Sequence, residues 1–217
     1  RQLGIRHTGS LPQALSLLSV STALAGSPPN LVAVDMPLSR KPITSRRVAD
    51  NAVSTAYGAK HCGTHTPNAS RPGPISDDFT ASFAAAGYPL ATFGRPRRAL
   101  IEVYPHPALV ELCAANRRLP YKVSKARCYW PALTLVQRRE QLLLVWQQII
   151  GRLDRAIAGT RVALPLPAVS ATGAELKAFE DRLDAIVCCW VGVRVLEDEA
   201  QPFGDRDAAI WIPTGRA

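Results

Sequence analysis

Two short apolar runs, LVAV at 31–34 and ALI at 99–101, each lead directly into a carboxylate, Asp35 and Glu102. Continuous apolar stretches this short, bounded by turn-forming or charged residues, predict buried strands. Elsewhere the helical period takes over. Leu135, Leu142, Trp146, Ile149 and Leu153 recur at helix spacing and predict a long helix over 131–158. Phe179, Leu183, Ile186, Val187 and Trp190 do the same after Thr172 and Glu175, a pair with capping-box spacing. Shorter helices are expected over 47–59, 77–86 and 107–116, and an early one capped by Ser10, with Pro12 in its first turn, ending at Gly26. LPLPA at 164–168 reads as an extended linker and AIWIP at 209–213 as a final strand.

This order of elements predicts an α/β fold with helices flanking a mixed sheet, in one domain over 1–217. The stretch 39–95 is rich in Pro, Gly, Ser and Thr and too poor in apolar residues for a core of its own. It is expected to be a long insertion suited to a lid or to substrate contacts.

A chain of 217 residues, 47% hydrophobic and 20% charged, has the composition of an ordinary globular protein. No apolar stretch is long enough for a membrane span. The run 11–25 is broken by polar residues and fails as a signal peptide. Five cysteines without CxxC spacing fit a reduced, cytoplasmic setting.

Charge changes the picture. The net charge is +9, and the excess lies before Glu175, from which point the chain is net acidic. Arg95, Arg97 and Arg98 precede the Glu102 run, and Arg117, Arg118, Lys122, Lys125 and Arg127 follow it. A polyanion such as DNA or RNA is the partner these groups suit, the bland alternative being a solvated basic surface.

In an open α/β sheet, ligands collect at the carboxyl ends of strands, where Asp35 and Glu102 are expected. Asp184 is a third acid, set in an almost wholly apolar stretch of helix; a buried carboxylate there needs a cation, a metal or a hydrogen-bond donor. Asp181 lies one turn earlier, either supporting the same site or solvated. Together these oxygens suit Mg²⁺ or Mn²⁺. Taken singly, Asp35 reads as a turn residue before Pro37 and Glu102 as the partner of a nearby arginine. The HCGTH stretch holds His61, Cys62 and His65, but Gly63 marks a loop and no fourth ligand is near, so zinc is not expected. His106 reads as a surface residue of a proline turn, and Cys188 and Cys189 as small helical residues, a vicinal disulfide being strained.

VDMPL at 34–38, RRVAD at 46–50, EVYP at 102–105, LPYK at 119–122, LDAIVCCW at 183–190 and FGDRDAAIWIP at 203–213 carry a resemblance over almost the whole chain. In their order and spacing they resemble the predicted nucleases of the ribonuclease-H-like superfamily grouped as domain of unknown function 429. The resemblance implies a ribonuclease-H-like sheet and metal-dependent phosphodiester hydrolysis. It marks Asp35, Glu102 and Asp184 as the catalytic and metal-binding acids, with Arg47, Asp50 and Lys122 as their polar companions; Asp50 and Asp181 are then expected to support the acids, and Arg47 and Lys122, with Arg97 and Arg98 of the basic cluster, to hold phosphates. It also implies a leading hairpin whose first strand bears another metal-binding aspartate. The chain opens instead at RQLGIRHTGS, too short for three paired strands. The expectation is that these strands are truncated or lost, which leaves an open sheet edge beside Asp35 and weak activity. Two rivals compete with the nuclease. One is a catalytically inert binding or scaffold protein of the same fold. The other is an actin- or sugar-kinase-like ATPase, disfavoured because neither GxGxxG nor GxxxxGK[ST] occurs.

Overall fold

A computed structural model describes residues 14–214. Helix α1 (Ala14–Ala25) leads into β1 (Leu31–Val34). Helices α2 (Val48–Tyr57) and α3 (Pro74–Ala85) follow, then β2 (Ala99–Val103) and α4 (Pro105–Cys113). A short α5 (Ala126–Tyr129) precedes the long α6 (Leu135–Ala156), one turn of helix α7 (Thr160–Ala163) and α8 (Gly173–Leu196). The hairpin strands β3 (Ala200–Gly204) and β4 (Ala209–Pro213) close the chain. Ser10 and Pro12, the expected start of the first helix, lie outside the described residues.

The four described strands form one mixed sheet in the order β1-β2-β4-β3. β1 runs parallel to β2, with Val34 opposite Glu102, and β2 parallel to β4, with Glu102 opposite Ile210. β3 is antiparallel to β4. The fold is therefore α/β, a mixed sheet flanked by helices. β3 has no counterpart in the sequence reading, because AQPFG carries a proline in mid-strand. As the outermost strand, β3 tolerates Pro202, whose missing N–H costs an edge strand nothing. At the turn, a Cβ on Gly204 would lie 2.0 Å from the Ala208 carbonyl oxygen, so no larger residue fits.

Alternation along β2 sorts the core into two layers. Ile101 and Val103 join a large cluster with Trp146 of α6 and Phe179 and Trp190 of α8. Leu100 joins a smaller one with Leu38, Phe83 of α3 and Tyr88. The 39–95 segment thus supplies helices to the body of the protein: α2 places Ala49, Val53 and Tyr57 in the large cluster, and α3 covers the Leu100 face. Capping sets the long helices. Thr172 and Glu175 form the expected box, whereas α6 starts at Leu135 rather than 131 because Thr134 and Gln137 cap each other there. No helix among the described residues is long and apolar enough to cross a membrane.

Candidate metal and phosphate site

Asp35 leaves β1 at its carboxyl end and opens on a cleft of about 580 Å³. Glu102, Arg47, Asp50 and Tyr104 line the near wall, and His65 and Arg71, from the loop 64–72, the far one. Solvent reaches Asp35, and its carboxyl accepts no hydrogen bond from any described residue. Crowding by protein pushes that carboxyl up to about 7; adjacent Asp184 adds to the rise, Lys122 opposes it, and Glu102 adds a smaller part.

Glu102 is the opposite case. It shares its strand face with Leu100 and is buried. Arg47, immediately before α2, meets both its oxygens: Nη1 donates to Oε2 at 2.6 Å and Nη2 to Oε1 at 2.8 Å. The Leu38 amide donates to Oε2 at 2.7 Å. The other edge of the guanidinium donates to both oxygens of Asp50, at 3.0 and 2.9 Å, and Nη1 also donates to the Leu38 carbonyl at 2.6 Å. All five N–H donors of Arg47 are thereby used. Burial raises the Glu102 carboxyl, to about 7, against the pull of Arg47 and the Leu38 amide. The guanidinium, whose own affinity for its proton is raised by the two acids against burial, keeps the trio an ionic one.

Asp184 is also neutralised, on the large-cluster side of the sheet. The Tyr121 hydroxyl donates to Oδ1 at 2.8 Å and the Lys122 ammonium to Oδ2 at 2.5 Å. Burial raises its carboxyl while Lys122 and Tyr121 pull it down. Glu180, one turn earlier on α8, is buried as well; its Oε2 accepts from the Val123 amide at 2.6 Å, and Lys122 lies 3.4 Å from Oε1.

Several expectations change accordingly. The three acids do not form one ligand set: Glu102 and Asp184 come to the end of the sheet from opposite faces, with Asp35 at the rim between them. Arg47 has no donor left for a phosphate, and Lys122 is held by Asp184 and Glu180. Asp50 belongs to the Arg47 trio, so its support is structural. Asp181 is exposed and paired with Lys177. Arg97 and Arg98 are exposed at the start of β2, at the other end of the strand from Glu102, roughly 13 Å away at strand rise. Arg98 lies over the Tyr88 ring. His106 is buried, not on the surface, and burial with nearby Arg118 and Lys122 lowers its pKa to about 2.

Two kinds of residue escaped the sequence reading. Glu180 carried a usable signal, standing four residues before Asp184 on the same helix face. Glu180, Asp181 and Asp184 could place one oxygen each within 4.8 Å of one another, but Lys122 and Lys177 already answer their charge. Arg71 carried no signal, lying in the Pro- and Gly-rich stretch. It is exposed, lines the cleft and has no ion pair among the described residues.

The raised carboxyl of Asp35 makes a pH prediction. Its proton is held to about 7 in the fold against 3.8 ordinarily, so the folded chain binds it more tightly than the unfolded one. Below about pH 4 both states carry the proton and stability is unaffected. Between about 4 and 7 the unfolded chain releases it first and stability falls, and above about 7 the full penalty applies. Discounted for solvent screening at an exposed residue, that penalty is about 1–2 kcal/mol. Asp35→Asn in chelator is therefore expected to be more stable than wild type at pH 8 and equal to it at pH 4. Denaturation curves that coincide at both pH values would show that Asp35 is unstrained.

No curated protein and no solved structure matches the chain. The family model described as "Protein of unknown function (DUF429)" matches residues 13–209. With that match running over nearly its whole length, the chain belongs to the DUF429 family.

Proposed function

We propose that this protein is a metal-dependent nuclease with a ribonuclease-H-like fold, hydrolysing phosphodiester bonds of DNA or RNA with Mg²⁺ or Mn²⁺. The observation that carries the reading is Asp35: a carboxylate at a strand end, open to a cleft, with no protein donor and with anionic neighbours on either side. A hard divalent cation is the partner such a group lacks. Asp35 is the carboxylate that fits it best, since both oxygens of Glu102 are engaged by Arg47 and both of Asp184 by Tyr121 and Lys122.

Bound at Asp35, the cation would supply Lewis acidity toward a phosphoryl oxygen. The protein's own groups have separate tasks. Lys122 and Tyr121 orient Asp184, and the Arg47 trio makes a rigid floor beneath Asp35. Arg71 and His65, across the cleft, replace Arg47, Lys122, Arg97 and Arg98 as the groups that meet the substrate's phosphates. A reducing, cytoplasmic setting belongs to the same proposal.

A second reading, an inert binding protein of the same fold, is favoured by one observation: Glu102 and Asp184 already have protein cations as partners. Cleavage assays separate the two. Single-stranded and duplex DNA, RNA and an RNA–DNA hybrid are incubated with Mg²⁺, Mn²⁺ or chelator. Cleavage of at least one substrate that chelator abolishes is expected, and no cleavage across the panel leaves the inert reading standing. Where cleavage occurs, Arg71→Ala is expected to raise KM by about tenfold with a smaller effect on kcat, since it removes a charge-assisted phosphate contact of about 1.5 kcal/mol. An unchanged KM would remove Arg71 from the substrate path.

A further inference from the structure

A second cleft, of about 640 Å³, lies beside the loop that follows α4, and its walls include Asn116, Arg117, Arg118, Tyr129, Trp130 and Gln148. None of its lining residues is acidic. Neither arginine has an ion pair among the described residues, and Arg117 is exposed. Tyr129 and Trp130 are half-buried and meet edge to face, with ring centroids 5.6 Å apart. The Tyr129 hydroxyl lies close enough to the Arg118 guanidinium and the Lys122 backbone for both to act on it.

Guanidinium groups match phosphate oxygens, and that of Arg117 is exposed. The half-buried Trp130 ring, on the cleft wall, can stack on any base, and the amides of Asn116 and Gln148 can donate to or accept from the base's edge. The charge of Arg118 acts on Tyr104, which lines the Asp35 cleft.

We infer that this second cleft binds an unpaired nucleotide, with its phosphate on Arg117 and Arg118 and its base stacked on Trp130. A free nucleotide and an unpaired stretch of a nucleic acid present the same chemistry. The inference deepens the nuclease reading by giving its substrate a single-stranded flank, but nucleotide binding can be measured without cleavage.

The test is fluorescence anisotropy of a labelled single-stranded oligonucleotide, as DNA and as RNA, with the full chain in chelator. Arg117→Glu and Trp130→Leu are each expected to weaken binding at least about tenfold, and Trp130→Phe, which keeps a stacking face, by less than about threefold. A blunt duplex, whose base faces are covered, is expected to bind without dependence on Trp130. Unlabelled AMP that displaces the strand at concentrations comparable to the strand's own identifies a free nucleotide as the ligand; failure to compete identifies the strand. Arg117 is exposed, so its variant tests the site even if Trp130→Leu fails to fold. The inference is overturned if wild type does not bind, if Arg117→Glu and folded Trp130→Leu bind within about twofold of wild type, or if the duplex shows the same Trp130 dependence. Because no metal is present, Trp130-dependent binding by a chain that cleaves nothing would sink the nuclease reading alone.

Discussion

Arg47→Met is expected to destabilise the protein by about 3–5 kcal/mol, the range for breaking a buried ion pair from one side. The guanidinium and the carboxylates of Glu102 and Asp50 are all nearly buried, with side-chain exposures of 7%, 4% and 2%. Methionine fills similar volume but leaves two carboxylates facing each other without a counter-charge. Arg47→Lys keeps the charge and cannot span both acids, so an intermediate loss is expected. Adding Glu102→Gln to Arg47→Met should recover part of the stability, because the two residues act as one unit. Urea denaturation at pH 7 measures all three. If Arg47→Met lies within about 1 kcal/mol of wild type, the trio is not the structural floor described above.

Asp35→Asn is expected to lower Mg²⁺- or Mn²⁺-dependent cleavage by at least about 100-fold while leaving the fold intact. The amide keeps the shape of the side chain and loses the charge that would hold a cation. Asp35 is the informative acid to change. Glu102→Gln would strip Arg47 of a partner, and Asp184→Asn would strip Lys122, so in both a loss of activity is mixed with a loss of structure. Asp35 has no protein donor to strand, and without metal its substitution is expected to stabilise. Loss of cleavage together with gained stability at pH 8 is a signature that a structural role cannot produce. Cleavage by Asp35→Asn at the wild-type rate would end the proposal that this carboxylate holds the metal.

Much of the frame was legible along the chain. Short apolar runs marked β1, β2 and β4, helical period marked α6 and α8, and the Thr172–Glu175 spacing marked a real cap. The acids at strand ends followed from the same runs. β3 was not legible, because a strand with a proline at its centre is possible only at a sheet edge, and an edge is a property of the assembled sheet.

The site divides in the same way. The sequence by itself determined which carboxylates stand at element ends or in apolar surroundings, since both depend on neighbours within a few residues. Only the tertiary structure decided which of them are free. Arg47 reaches Glu102 across 55 positions of chain and Lys122 reaches Asp184 across 62, and no local period encodes such pairings. Arg97 and Arg98 show the converse. They are neighbours of Glu102 in sequence, yet the extended strand carries them to the far end of the sheet, whereas Arg71, distant in sequence, faces Asp35 across the cleft. A buried charge takes its partner from whatever the fold brings within hydrogen-bonding distance, and that is fixed by packing across the two faces of the sheet.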